Sequence, residues 1–335
     1  MKNKRVTLKQ IADETGVSVA AVSAVLNDKV GQYLRVGQPA QERIKDAAKR
    51  LGYRPSAAAR MMLTNQTNQI AVFLPNKPEH RTTTPMNYET IIGMNSVCQE
   101  NNYLLVLVCL HDLLNRNDIG SRVFKEHAVD GALMLGSVDD NEDELLTKLF
   151  PMCVWCDTSY WQSTSCVRRD EVQAGYIAAK ALLEAGHKEL IWIEPATKDV
   201  GHYSFRERYK GVKKALKKFD GTDKRLIHPS VLELQSLFKK DSAFIASNYP
   251  IVEDLGYVAM KSKYVVGKDV SIVCCDDMNM RFTGAWKNLA RCKFDRFEMG
   301  RIAAQMLLKK IANGKAGKSV KVVPELIQGD TINKL

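Results

Sequence analysis

From Gln69 onward, short apolar runs alternate with amphipathic stretches, and the alternation occurs twice in succession. The first series reads "QIAVFLP", a helical stretch through Gly93 and Cys98, "YLLVLVCL", a helical stretch near Phe124, "GALMLG", a helical stretch over Asp143–Leu149, and "MCVWCD". The second begins with a helix from Ala174 and continues through "ELIWIE", "SFRERYKGVKKALKKF", "SAFIAS", "IVEDLGYVAMKS" and "VSIVCC". Near-continuous apolar runs are strands buried on both faces, and the amphipathic helices between them supply the crossovers that parallel strands require. Two such series predict an α/β body of two similar subdomains with doubly wound parallel sheets. Ligands of that architecture bind beyond the carboxyl ends of the strands, here in a cleft between subdomains.

The first sixty residues carry a different pattern. Thr7 to Gln10 spells T-x-x-Q, a capping box at a helix start. Leu8, Ile11 and Ala12 follow at helical spacing, Gly16 can end the helix at positive φ, and Ser18 is an N-cap for a second helix. Around that second helix Ala21, Val22, Val25 and Leu26 share one arc, while Val19, Ala20, Ser23, Ala24 and Asn27 share the other. Pro39 opens a third helix, in which Ile44, Ala47, Ala48 and Leu51 form an apolar stripe, and Gly52 closes it. Two helices about a tight glycine turn are a helix-turn-helix, a shape whose second helix enters the major groove of DNA. The segment Ala57–Leu63 is too short for a stable helix alone, and it is expected to form against a partner or DNA.

Charge supports that assignment. The chain of 335 residues has a net charge of +11, and residues 1–65 hold twelve Lys/Arg against five Asp/Glu. A basic head on a nearly balanced body points to a polyanion partner for the head. The N-terminus has no apolar stretch after its basic residues and no run of eighteen apolar residues occurs, so a cytoplasmic protein with no membrane partner is expected. Most of the eight cysteines sit in apolar runs and read as reduced core residues. Cys153 and Cys156 form a CxxC, yet no second pair or histidine cluster accompanies them, and they read as strand residues. There is no Gly-rich phosphate loop, GxSxG, HExxH or metal-spaced histidine set, so neither an enzyme nor a cofactor is expected.

The blocks "VTLKQIADETGVSVAAVSAVLND", "ERIKDAAKRLGYRPSAAAR", "VRRDEVQAGYIAAKALLEAGHKELIWI", "RERYKGVKKAL", "GKDVSIVCCDD" and "FEMGRIAAQMLLKKI" together resemble the lactose-repressor/galactose-repressor (LacI/GalR) family of transcription regulators. The resemblance spans nearly the whole chain in the family's order. It implies a head over 1–53, a hinge over 54–67 and a periplasmic-binding-protein-like body over 68–335. The body's N-subdomain would take 68–166 and 292–322, and its C-subdomain 167–291 and 323–335.

By the same resemblance, bases are touched from Val19, Ala20 and Ala24. Ala24 departs from the long polar side chain usual there, leaving methyl contacts with thymine, DNA shape and dimer spacing as sources of a modest sequence preference. In the family a hinge leucine wedges into the central base step. The matching residue is Met62, with Ala57, Ala58 and Arg60 around it, and the alternative is burial of Met61, Met62 and Leu63 against the body. Thr7, Ser23 and Asn27 match backbone-contacting positions, Ser18 at the start of the second helix joins the DNA-binding set, and Arg35, Arg54 and Arg60 add charge for phosphates. Four extra residues in "DKVGQYLRVGQ" bring Tyr33 and Arg35 into reach of DNA.

For the cleft, the resemblance implies effector contacts from Asp157, Arg208, Asn248 and Asp276, groups suited to paired hydrogen bonds with sugar hydroxyls. Asp157 or Asp276 as a structural acceptor, and Arg208 as a structural ion pair, are the competing readings. Tyr249 replaces the family's usual aspartate, and Trp161 and Trp286 are either stacking platforms or core residues. The implied protein is a dimeric, sugar-responsive repressor of an operator on double-stranded DNA. The alternative is a solute-binding receptor with weak or nonspecific DNA binding.

Overall fold

The computed structural model describes residues 6–27, 30–31, 34–75, 84–110, 123, 125–136, 146–148, 150–196, 202–277 and 288–335. The chain forms two compact units, Met1–Thr67 and Asn68–Leu335.

In the first unit, α1 (Leu8–Thr15) starts at the capping box: the Gln10 amide donates to Thr7 Oγ1, and the Thr7 amide donates to Gln10 Oε1. Gly16 ends it at φ 69°, Ser18 caps α2 (Val19–Leu26), and α3 (Gln38–Leu51) ends on Gly52 at φ 68°. Ile11, Ala12, Val22, Val25, Ile44, Ala47 and Ala48 make the core of the three helices. This leaves Val19 and Ala20 exposed at the start of α2. In the segment joining α2 to α3, Val30 pairs with Leu34 in an isolated bridge, while Tyr33 lies outside the described residues.

The segment expected to need a partner is already helical, as α4 (Ala57–Thr64). Both of its ends are satisfied locally. Ser56 Oγ accepts from the Ala59 amide, and Asn65, in left-handed geometry, donates its amide to Met61 O.

The second unit contains two six-stranded sheets. The first takes β1 (Gln69–Pro75), β2 (Leu104–Leu110), β3 (Gly131–Leu135), β4 (Cys153–Cys156), β5 (Cys166–Arg169) and β11 (Val320–Val322), ordered β11-β5-β4-β3-β1-β2 and parallel throughout. The second takes β6 (Glu189–Glu194), β7 (Thr222–Ile227), β8 (Ala243–Ala246), β9 (Ser271–Cys274), β10 (Ala290–Lys293) and β12 (Glu325–Ile327), ordered β12-β10-β9-β8-β6-β7. One strand departs from the parallel pattern: β12 runs antiparallel to β10, because the chain enters it directly from β11 with no helical crossover. Each sheet is covered on both faces by an apolar cluster.

The described helices of the body are α5 (Thr84–Glu100), α6 (Glu171–Glu184), α7 (Tyr203–Phe219), α8 (Val231–Leu237), α9 (Tyr249–Lys261) and α10 (Arg296–Asn313). Helices α5 and α10 pack together on the first sheet, and α6 and α7 on the second. Both pairs approach through glycine. A Cβ on Gly175 of α6 would collide with the Arg208 carbonyl of α7, and one on Gly300 of α10 would collide with the Thr90 carbonyl of α5.

The chain passes between sheets three times: after β5, between β10 and α10, and between β11 and β12. Strand membership moves two of the expected crossing points. All of β5, to Arg169, belongs to the first sheet, and all of β10, to Lys293, belongs to the second.

Cys153 and Cys156 are both buried on β4, but three residues apart on a strand they face opposite sides, Cys153 in one apolar cluster and Cys156 in the other. They cannot share a disulfide or a metal. Burial pushes the Cys153 thiol up to about 11. Among the described residues, no helix is long and apolar enough to cross a membrane, and no group of His, Cys, Asp or Glu has metal-binding geometry.

Candidate functional site

On the head, Val19 is 44% exposed and Ala20 is exposed, while Ser23 and Ala24 are half-buried. The polar candidates Ser18, Ser23 and Asn27 are engaged locally. Ser18 Oγ accepts from the Ala21 amide, and Asn27 Nδ2 donates to Ser23 O at 2.8 Å. Thr7 is likewise held in its capping box. Arg35 and Arg54 are exposed. Met62 is 88% exposed on α4. Ala57, Ala58 and Arg60 lie on the backbone of the same helix.

In the body the carboxyl ends of β4, β5, β8 and β9 bring charged and polar groups into one buried cluster. Asp157 follows β4 in left-handed geometry, φ 53°, a conformation that aspartate tolerates better than most residues. Its Oδ1 accepts from Arg169 Nε at 3.1 Å and from the Tyr203 hydroxyl at 2.7 Å. Burial alone would raise the Asp157 pKa, but the Arg169 and His202 charges and the Tyr203 and Arg169 hydrogen bonds outweigh it and bring it down to about 2.

Asp276, just beyond β9, is more heavily engaged. It accepts from Arg208 Nη2 at 2.8 Å, from Arg169 Nη1 at 3.3 Å and from Arg296 Nη2, and its Oδ1 also takes the Asp277 amide. Against the opposing effect of burial, the three guanidinium groups hold its carboxyl well below the usual carboxylate range. Arg208, on α7, is 1% exposed. Its Nε and Nη2 grip Glu171 at 2.7 and 2.9 Å, and its Nη1 donates to Ser247 O. Every nitrogen of this guanidinium is therefore committed within the protein.

Asn248 is different. It occupies the N-cap position of α9 yet makes no side-chain cap, and its buried Oδ1 has no hydrogen-bond partner. The same holds for Oγ of the adjacent, fully buried Ser247. Buried polar atoms are paired in the great majority of cases, so two unpaired acceptors side by side mark a place where a donor from outside the chain fits.

The structure thus brings Asp157, Arg208 and Asp276 into one cluster, with Asn248 beside it on the next residue after Ser247. Tyr249, the first residue of α9, packs against the apolar layer beneath that helix. Trp161 is not a free stacking face, because the Arg168 guanidinium lies over its ring at 4.2 Å, and Trp286 lies outside the described residues. Sequence reasoning missed Arg169, Glu171, His202, Tyr203 and Arg296, which complete the cluster. The available signal was the run "VRRDE", two arginines and two acids in immediate succession.

Comparison with known proteins agrees with this division. Residues 7–56 match the family "Bacterial regulatory proteins, lacI family", and residues 179–332 match "Periplasmic binding protein-like domain". Curated relatives include the HTH-type transcriptional regulator RegA of Clostridium saccharobutylicum, 27% identical over 90% of this chain and 92% of the relative. The HTH-type transcriptional repressor PurR of Haemophilus influenzae is 26% identical over 96% of this chain and 97% of its own. Among solved structures, the lac repressor dimer bound to operator and the anti-inducer ONPF superposes with a TM-score of 0.78 at 16% identity, covering 98% of this chain and 99% of that one. The transcriptional regulator CelR in complex with cellobiose gives a TM-score of 0.62 at 20% identity, over 98% and 100% of the two chains. With a lacI-family head and a periplasmic-binding-protein-like body joined in one chain, matched end to end by regulators of that type, the protein belongs to the LacI/GalR family of transcription regulators.

Proposed function

We propose that this protein is a homodimeric DNA-binding repressor whose hold on its operator is set by a small ligand, a sugar or sugar derivative, bound in the cleft of the body. The observation that carries the reading is the combination, in one chain, of a capped helix-turn-helix with an exposed α2 start and a two-sheet body. In that body, unpaired acceptors on Ser247 and Asn248 adjoin the Asp157–Arg208–Asp276 cluster. Unpaired buried acceptors favour a ligand rich in hydroxyl donors. The relative solved with cellobiose and the one solved with operator supply the precedents for both partners.

On DNA, Val19, Ala20 and Ala24 would meet bases, and Met62 would wedge between them. Thr7, Ser18, Ser23, Asn27, Arg35, Arg54 and Arg60 would hold phosphates, with Ala57 and Ala58 allowing close approach of the hinge helix. Exposed Tyr88 and Ile92 on α5, and Tyr257 and Met260 on α9, favour a second copy as partner. Control by the ligand requires that it bind the DNA-competent and DNA-incompetent states with different affinity. The reading assigns the cleft to recognition, not turnover, and places the protein with the DNA in the cytoplasm.

The test is fluorescence anisotropy of the full chain against its own upstream region and a scrambled duplex over a range of salt. A preference of ~10³ or more for the native duplex supports the reading. Equal affinities that fall together with salt would identify an electrostatic binder and remove the repressor assignment.

A further inference from the structure

The cluster at the strand ends joins the two sheets to each other, and its charges close without any external group. Three guanidinium groups, from Arg169, Arg208 and Arg296, meet three carboxylates, from Asp157, Glu171 and Asp276, and each of these side chains is at most 13% exposed. Several of the bonds span the cleft. Arg169, at the end of β5 in the first sheet, and Arg296, opening the helix that packs on that sheet, both reach Asp276 beyond β9 of the second. In the other direction Tyr203, at the start of α7 on the second sheet, donates its hydroxyl to Asp157 beyond β4 of the first.

A second row of contacts runs alongside. The Arg169 amide donates to the Tyr203 hydroxyl at 3.1 Å, and the Tyr203 amide donates to Ser159 Oγ at 3.2 Å. His202 Nε2 donates to Asp157 O at 3.0 Å. The Arg168 guanidinium lies between the rings of Trp161, at 4.2 Å, and Tyr203, at 4.6 Å, and it pairs with Glu207 of α7.

We propose that this network holds the two sheets of the body together across the cleft, and that Arg169 is the internal occupant with which an effector must compete. The inference rests on the cleft being the effector site. Arg169 contacts Asp157, Glu171 and Asp276 at once, so its guanidinium already occupies acceptor positions on Asp157 Oδ1 and Asp276 that a polyol would use. Partial opening is disfavoured, since it would separate opposite charges before water could reach them. The cleft is therefore closed or open, with little between. A buried ion network also lies near energetic balance with its hydrated alternative, because desolvation offsets most of the attraction. That balance leaves the network within reach of a ligand's differential affinity, and an effector acts by releasing Arg169.

The test uses the full chain without DNA or added sugar, so a failure to bind either leaves the result unaffected. Hydrogen exchange is followed at the Arg169 and Tyr203 amides, whose acceptors lie across the cleft, with Ile245 in the centre of the second sheet as reference. The wild-type protein is expected to protect both amides at least a hundredfold over a free peptide. Arg169→Gln and Tyr203→Phe are each expected to speed their exchange at least tenfold, with Ile245 unchanged. Free-peptide exchange of these amides in the wild type would overturn the proposal, as would undiminished protection in a folded variant. If Arg169→Gln does not fold, Tyr203→Phe and the wild type decide the matter.

Discussion

Arg208 and Glu171 face each other as a two-pronged pair, Nε to Oε2 at 2.7 Å and Nη2 to Oε1 at 2.9 Å, with both side chains sealed from solvent. Against the cost of burial, Glu171 and Asp276 hold the Arg208 guanidinium above its ordinary pKa, so it stays charged at every accessible pH. A guanidinium committed this way serves the site by positioning Asp276 and the Ser247 carbonyl. Glu171→Gln removes the charge partner and leaves the arginine under-compensated. Loss of one partner of a buried pair costs about 3–5 kcal/mol, which a urea titration of the body's transition would read. The double change Glu171→Leu with Arg208→Met should cost much less than the two single changes added, because no buried charge is then left without its partner.

The glycine contact behind that pair is the next point of vulnerability. Gly175 lies against the Arg208 carbonyl and Gly211 against the Val172 carbonyl, so α6 and α7 touch backbone to backbone. Gly175→Ala must push the helices apart and draw Arg208 away from Glu171. Overpacking costs about 1–3 kcal/mol, and the displaced ion pair adds to it. The expected result is a lower urea midpoint than in Gly317→Ala, where an added methyl meets nothing within 4 Å.

Acid should loosen the body in two stages. Burial, opposed in part by the Asp157 charge and reinforced by Arg169, lowers the His202 pKa below its ordinary 6.5. The unfolded chain then binds a proton that the folded one refuses, so stability is full above about 6.5 and declines as the pH falls below it. Asp157, held at about 2 against an ordinary 3.8, adds stability that is present above 3.8 and lost between there and 2. Urea midpoints measured from pH 7.5 down to 5 should fall in the wild type. His202→Gln, whose amide can still donate to Asp157 O, should show a shallower decline; an identical slope would remove His202 as the cause.

The hinge and the head are separable by their salt behaviour. Met62→Ala removes an exposed apolar wedge and should weaken operator binding ~10-fold while leaving a scrambled duplex unaffected. Arg54→Ala should weaken both duplexes alike and reduce the salt slope by about 1. Anisotropy titrations at several salt concentrations distinguish the two patterns.

Much of the architecture was legible in the order of residues. The capping box at Thr7, the glycine stops at 16 and 52 and the apolar runs of β1, β3, β6 and β8 are local signals, each read within one turn or one strand. Strands without an apolar run were not legible. β7, "TDKRLI", at the edge of the second sheet, is largely solvated, and β5, "CVRR", is wholly buried inside the first sheet although half of it is arginine.

The same limit applied to the site. Asp157, Arg208, Asn248 and Asp276 were identified by resemblance at strand and helix ends, but the sequence does not say whether such groups are free or engaged. Local patterning determined which segments are helices and strands and which ends face a cleft, because those properties depend on neighbours a few residues away. Only the tertiary structure decided that Arg169, Arg208 and Arg296 converge on Asp276, since partners separated by 107, 68 and 20 residues meet only after both sheets are built. Charge pairing falls off with distance in space and takes no account of separation along the chain.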